Sequence, residues 1–201
     1  MKSYLSIFIL LFCFIASPAQ NNHKKEVKKW QKELNREYKN PDESPLTQED
    51  LADFRKLDFY PIDNSYSIIA KLELTPDEQP FKMPTSTERL PEYVKYGIAR
   101  FKLHGQELQL SVYKNIALSE IEEYKDYLFI PFTDQTNGEG SYGGGRYLDI
   151  TIPDSDELMI DFNKAYNPYC AYNSRYSCPI PPRENNLQVA IKAGVKAFGD
   201  H

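Results

Sequence analysis

Residues 99–110 constrain the fold more tightly than any other part of the chain. Ala99, Phe101 and Leu103 alternate with polar residues, His104-Gly105 follows, and Leu108 and Leu110 resume the alternation. A period of two marks a half-buried strand, and glycine supplies the positive φ of a two-residue hairpin turn. Closing the turn at His104-Gly105 sets Phe101 opposite Leu108 and Ala99 opposite Leu110, so the apolar faces of both strands coincide. A slip of one residue would turn one apolar set towards water. Upstream, Val94, Tyr96 and Ile98 hold the opposite phase, and the switch beside Gly97 predicts a β-bulge. His104 is thereby a turn residue, a poor candidate for a base or a ligand.

Further strands are expected at 66–74, with Ile68, Ala70, Leu72 and Leu74 on one face, and at 127–132, 146–152, 157–163 and 187–192. Helices do not alternate with these strands, which favours an antiparallel sheet over a parallel α/β arrangement. Two helices are expected to come first. In residues 23–39, Val27, Trp30, Leu34 and Tyr38 form one stripe, and Asn40-Pro41 ends the helix. The second starts at Thr47, with Asp50 in the capping-box position, Leu46 and Leu51 placed as a hydrophobic staple, and Leu51, Phe54 and Leu57 as its apolar face. The expected fold is mainly β, an antiparallel β-sandwich or barrel preceded by two N-terminal helices. The proline-rich interval 75–91 reads as an excursion over one end of the sheet.

Lys2, the apolar run 5–15 and Ser17-Pro18-Ala19 describe an export signal over residues 1–19. The run is short for a membrane span, and Phe12 before Cys13 does not suit a lipoprotein processing site. The expected organisation is a signal peptide at 1–19, an amphipathic helix and linker at 20–45, and one β-rich domain at 46–201. The mature protein would be periplasmic or extracellular, with no integral membrane segment. Cleavage would remove only Lys2 from 24 Lys and Arg, leaving 23 against 29 acidic residues. That balance speaks against a nucleic-acid partner, which needs a clustered basic face. Lys24, Lys25, Lys28 and Lys29 sit among Glu26, Glu33 and Glu37 and read as a solvated helix face.

The mature cysteines, Cys170 and Cys178, are expected to form a disulfide in an oxidising compartment. Such a bridge would stabilise by roughly 2–3 kcal/mol in the chain-entropy model. Seven residues between them match no standard zinc spacing, and no nearby His completes a site, so no metal is expected.

Taking 146–152 and 157–163 as a hairpin sets Ile152 against Leu158, Ile150 against Ile160 and Leu148 against Phe162. The other face then pairs Asp149 with Asp161 and Tyr147 with Asn163. Facing carboxylates repel. In water the pair is simply a solvated polar face; enclosed, it needs a cation or a raised pKa and becomes a candidate for acid–base work or a hard metal ion. Gly143-Gly144-Gly145 before Arg146 has two readings: backbone N–H groups cradling an anion with Arg146 as counter-charge, or a tight loop. Arg146 could equally pair with Asp134 or Asp161. Residues 165–186 read as a long ordered loop, in which Tyr166, Tyr169, Tyr172 and Tyr176 line a pocket or cover the sheet end. Ser141 and Ser177 lack a nucleophile context.

The candidate ligand-binding residues are Asp134, Arg146, Asp149, Asp161, Asn163, Asn167 and Glu184. The expected function is binding of a small polar or anionic ligand, with no cofactor indicated. The alternatives are a hydrolase using Asp149/Asp161 or Asp161/Glu184, and an envelope structural or interaction module.

Two long stretches carry a resemblance. One is Phe132-Thr133-Asp134-x-Thr136-x-Gly138 with Tyr142-x-x-Gly145-Arg146-Tyr147-Leu148. The other is Asp161-Phe162-Asn163-x-Ala165-Tyr166-Asn167-Pro168, with Cys170-Ala171-Tyr172 and Cys178-Pro179-Ile180-Pro181-Pro182-x-Glu184-Asn185. They resemble the bacterial family catalogued as domain of unknown function 1684, over residues 54–195. Residues 57–62, Leu57-Asp58-Phe59-Tyr60-Pro61-Ile62, resemble its exported Bacteroidetes-type version. The resemblance brings no activity, substrate or catalytic residue with it.

Overall fold

The computed structural model describes residues 18–199. The expected signal peptide, residues 1–19, therefore lies almost wholly outside the described residues. The elements are α1 (Pro18–Lys39), α2 (Gln48–Asp53), β1 (Ser67–Leu74), β2 (Phe81–Lys82), β3 (Glu92–Leu103), β4 (Gln106–Asn115), α3 (Ile116–Ser119), β5 (Tyr127–Phe132), β6 (Arg146–Thr151) and β7 (Glu157–Asp161). None of the described helices is long and apolar enough to cross a membrane.

The hairpin forms with the register its alternation dictates. β3 and β4 pair with Phe101 opposite Leu108 and Ala99 opposite Leu110, and the register shifts between Lys95 and Gly97 at the bulge. His104 (φ 49°) and Gly105 (φ 84°) both take left-handed backbone, which matches the turn to the twist of the flanking strands. Around this hairpin a single antiparallel sheet assembles in the order β6-β5-β4-β3-β1-β7, with β2 on β3. It curls into a half-barrel whose edge strands approach without pairing. The antiparallel β architecture is as expected; a second sheet, needed for a sandwich, is absent among the described residues.

The inner face is packed by Ala70, Leu72, Ala99, Phe101, Leu110, Val112, Leu128, Ile130, Leu148, Leu158 and Ile160. Each comes from alternate positions of its strand, as a one-sided core requires. The intervening residues Tyr93, Tyr113, Phe129 and Tyr147 build a second, aromatic cluster on the outer face.

Two expectations fail here. β6 and β7 form no hairpin: β6 pairs with β5, Ile150 opposite Leu128, and β7 pairs with β1, Ile160 opposite Ile68. Alternation fixes which face a strand buries but not which neighbour it meets, and both partners offer the same apolar phase. Residues 187–192 form no strand either. Leu187, Ile191 and Ala193 enter the open half-barrel and complete its core beside Phe132 and Phe162.

α1 uses its apolar stripe as expected, whereas α2 is a single short turn, Gln48–Asp53, that buries no residue and leaves Phe54 and Leu57 of the expected apolar face beyond its end. Val27 and Tyr38 are fully buried, and Trp30 and Leu34 pack beside them against Leu57, Tyr172 and Val195. At α2, Thr47 Oγ1 accepts from the N–H of Asp50 at 3.1 Å and donates to Asp50 Oδ2 at 2.6 Å. The aspartate thus binds the capping hydroxyl, whereas the glutamate of a full capping box binds the backbone.

One side chain repairs the sheet. β4 and β5 share a single ladder pair, Tyr113 with Phe129, and Pro131 has no N–H to offer. The buried amide of Asn185 bridges the gap: it donates to the carbonyls of Ser111 and Pro131 at 2.8 Å each and accepts from Ser111 N–H at 2.7 Å. Asn185→Ala should cost about 2–4 kcal/mol, because it orphans several buried backbone groups. Asn185→Asp should cost more, since a carboxylate oxygen would face two carbonyls. Urea denaturation measures both; if the two variants unfold at the wild-type midpoint, the bridge is not what joins these strands.

Candidate functional site

A cleft of about 470 Å³ on the outer face of the half-barrel gathers tyrosines and carboxylates around one floor. Its floor is Tyr93, Tyr127, Phe129, Tyr147 and Asp149 from β3, β5 and β6; its walls are Trp30, Leu34 and Glu37 of α1 and the loop carrying Tyr166, Tyr169 and Tyr176. The floor follows from strand parity, since odd-numbered positions of β5 and β6 point outwards while even-numbered ones fill the core. Tyr166 is placed by its backbone, which exchanges hydrogen bonds with Tyr147 on the free edge of β6 at 2.9 and 3.1 Å. The rings meet edge to face: Phe129 and Tyr147 have centroids 4.8 Å apart, and Tyr147 and Tyr166 lie 5.9 Å apart and perpendicular.

Asp149 is the centre of this cleft. Its Oδ1 accepts from the hydroxyls of Tyr127 and Tyr166, 2.7 Å each. The residue keeps an exposed surface through the cleft mouth, yet the surrounding rings crowd its charge. Burial raises its pKa above the ordinary carboxylate value, and the two phenol hydrogen bonds only partly offset this. Among the described residues no cation is paired with it. In the α1 wall, Glu37 accepts from the hydroxyl of Tyr169 at 2.7 Å, a strap between helix and loop. At the rim, Arg89 is held by Ser177 Oγ and O at 3.0 and 2.7 Å.

The other sequence candidates lie elsewhere. Arg146 and Asp134 form a sealed ion pair on the inner side, 2.7 Å apart, with both side chains 0% exposed. The Arg146 guanidinium also donates to the carbonyls of Ala193 and Ile191, while Asp134 Oδ1 accepts from the N–H groups of Thr136 and Ile191 at 2.8 and 3.0 Å. Of the pairings open to Arg146, Asp134 is the one made, and the guanidinium is unreachable for an anion. Of the glycines before it, Gly145 (φ 95°) serves close packing, for a Cβ there would stand 2.6 Å from the carbonyl oxygen of Phe132.

Asp161 lies on the opposite edge strand from Asp149. Both border the seam between β6 and β7, but their carboxylates share no partner. Asp161 caps the 3₁₀ turn Phe162–Lys164 through the N–H of Asn163 at 3.1 Å and accepts from Asn163 Nδ2 at 2.8 Å. Asn163 is buried and ties Asp63 through that residue's N–H and C=O. Asn167 donates to the carbonyl of Lys196 at 2.8 Å and to the hydroxyl of Tyr172 at 3.2 Å. Glu184 pairs with Lys95 at 2.9 Å and accepts from the hydroxyl of Tyr113. Neither carboxylate pair, Asp149/Asp161 or Asp161/Glu184, is assembled.

Cys170 and Cys178 are free thiols, so the expected disulfide is not formed. Their loop is closed without it: the N–H of Cys170 donates to Cys178 Sγ at 3.1 Å, and the N–H of Cys178 donates to Ser86 Oγ at 3.0 Å. The Cys178 thiol hydrogen-bonds Cys170, lowering the Cys170 pKa to about 6 and raising its own.

His23 is a site residue that no pattern in the sequence marks. Its Nε2 meets Asp161 Oδ2 at 2.9 Å and its Nδ1 meets Asn64 Oδ1 at 2.7 Å, docking α1 onto β7. Oxygens at both ring nitrogens suit the doubly protonated imidazolium. Burial opposes the charge, and the Asp161 and Asn64 contacts outweigh it, so the pKa lies above 6.5. A raised folded-state pKa gives stability that is present below the unfolded value and lost as pH rises through the folded one. Between about pH 6 and pH 8.5 the wild-type Tm should therefore fall by roughly 2 °C more than that of His23→Gln, a small effect because the pair still touches solvent. Parallel melting curves over that range would remove the imidazolium from the docking contact.

Against known sequences, the family described as protein of unknown function (DUF1684) matches residues 52–196. The chain belongs to the DUF1684 family. The expected span of 54–195 agrees with this match. Among solved structures, an uncharacterized protein of Haloarcula marismortui, determined by solution NMR, is similar with a TM-score of 0.70 and 30% identity, over 91% of this chain and 98% of that one. No curated protein matches. The DUF1684 region supplies the cleft floor, Asp149 and the loop tyrosines, while α1, with Trp30 and Glu37, precedes it.

Proposed function

We propose that this DUF1684 protein is a binding module whose outer-face cleft takes a small polar ligand over Asp149. The observation that carries this reading is a carboxylate on the floor of an aromatic-walled cavity that, among the described residues, has no partner cation. Cavities of this size and character, mostly apolar with a few convergent polar groups, are the usual form of small-molecule sites. An anionic ligand fits the cleft poorly, because Asp149 and Glu37 would repel it and Arg146 is bonded inside the core. Export accompanies the proposal, supported by Lys2, the apolar run 5–15 and the small residues at 17–19; the segment 57–62 supports the exported Bacteroidetes-type assignment. Outside the cell such a cleft would meet free solutes. The acidic balance fits a partner other than nucleic acid.

The test is a thermal-shift screen of the wild type and Asp149→Asn against sugars, amines, amino acids and phosphates. A ligand at a hundred times its Kd stabilises by about 2.7 kcal/mol, or roughly 5–10 °C for a chain of this size. The expected result is stabilisation of the wild type that shrinks in the variant. Equal shifts in both proteins, or no shift from any compound, would overturn the proposal.

A further inference from the structure

The chemistry of the cleft narrows its ligand further, on the reading just given. We propose that the group seated over Asp149 is an organic ammonium, an amine bearing methyl or short alkyl substituents.

Four observations converge. The phenol protons of Tyr127 on the floor and Tyr166 on the wall both go to the same oxygen of Asp149, and among the described residues Oδ2 accepts no hydrogen bond. One carboxylate oxygen is thus fixed and the other left for a donor or a positive charge. Next, the rings stand at steep angles to one another, Phe129 against Tyr147 at 74° and Tyr147 against Tyr166 at 90°, and so offer π-faces in several directions around one corner. Aromatic faces carry negative potential and attract a desolvated cation. A phenol that donates to a carboxylate keeps its ring electron-rich, which strengthens that attraction. The third observation is charge: Asp149 and Glu37 are both acidic, and among the described residues neither is paired with Lys, Arg or His, although Arg89 stands at the rim on Ser177. Asp149 is reachable through the cleft mouth yet crowded by aromatic rings, so a bound cation would find its charge unscreened by any other partner. Finally, alternatives fit less well. A hard metal ion wants six or more oxygen ligands, and among the described residues no group of three His, Cys, Asp or Glu side chains is close enough to hold one. A neutral sugar would use the ring faces but leave the carboxylate charge uncompensated.

The molecule carries its own reporter. Trp30 is the single tryptophan of the chain and lines the cleft. Its fluorescence should be followed during titration with choline, with tetramethylammonium, and with 3,3-dimethylbutan-1-ol, the neutral carbon isostere of choline, all at constant ionic strength. Choline should give a saturable change, and the isostere should bind about 10-fold more weakly or worse, the difference a desolvated cation–π contact supplies. Asp149→Asn should weaken choline by about 10-fold and leave the isostere unchanged, because only the charged ligand uses the carboxylate. Should that variant fail to fold, Glu37→Gln on the helix wall should weaken choline about 2- to 3-fold through lost attraction. If the isostere binds as tightly as choline, or neither substitution changes choline, the ammonium inference is overturned while the small-ligand reading survives. If sugars or other neutral compounds saturate the Trp30 signal and amines do not, the outcome is the same. Silence of Trp30 towards every compound, with no thermal shift, would overturn both.

Discussion

Arg146→Ala should lower the stability of this protein by about 3–5 kcal/mol, the cost of leaving a buried charge without its partner. Asp134 would remain in the core, sealed at 0% exposure, with only N–H donors around it. The carbonyls of Ala193 and Ile191 would lose their donor as well, and a cavity the size of a guanidinium would open beside Phe132. For a chain of this length the loss corresponds to roughly 10 °C in Tm. The double variant Arg146→Met/Asp134→Leu removes both charges and fills part of the volume, so it should be more stable than Arg146→Ala alone. Urea denaturation of the three proteins decides. A double variant less stable than the single one would mean that the pair stabilises through more than mutual neutralisation.

Gly194→Ala should be nearly as damaging, at about 3 kcal/mol or more, by a different route. Gly194 has φ +79°, and a Cβ there would collide with the carbonyl oxygen of Ala165 and stand 2.9 Å from both the Ala165 Cβ and the carbonyl oxygen of Phe162. These neighbours are core residues at 0% exposure and cannot retreat. Gly138 is the matched control: its φ is +83°, but a Cβ would meet nothing within 4 Å. Gly138→Ala should therefore show only the backbone cost, about 1–2 kcal/mol. If the two substitutions prove equally costly, packing against Ala165 and Phe162 is not what demands glycine at 194.

These two sites show how far the sequence can be read. The β3–β4 hairpin was legible because its partners are close in the chain and its turn residues carry a backbone signal. The ends of the sheet were not, since the choice of β5 and β1 as neighbours for β6 and β7 rests on contacts remote in sequence. Residues 187–193 alternate like a strand, yet the half-barrel needed a filler more than another edge. Asp149 was singled out, but with Asp161 as partner; its actual partners, Tyr127 and Tyr166, come from a strand and a loop whose approach no local pattern reveals. Of the loop tyrosines, Tyr166, Tyr169 and Tyr176 line the cleft, while Tyr172 packs on Tyr38 with centroids 5.0 Å apart. Trp30 and Leu34 read as a packing stripe and are one, with the addition that their helix also walls the cleft. Arg146 and Asp134 look like surface functional groups in a sequence, because nothing local shows that both will be swallowed.

The filling of the half-barrel by Leu187, Ile191 and Ala193 also sets the order in which the molecule can be made. A growing chain can form the β3–β4 hairpin early, but its inner core stays open until residues 187–195 have left the ribosome. Arg146 waits for the same residues, so the interior charge is not neutralised before then. Contacts this distant in sequence slow folding. The chain should consequently keep an open core, and remain a substrate for chaperones or for any channel that accepts incompletely folded polypeptide, until residues 187–195 have emerged.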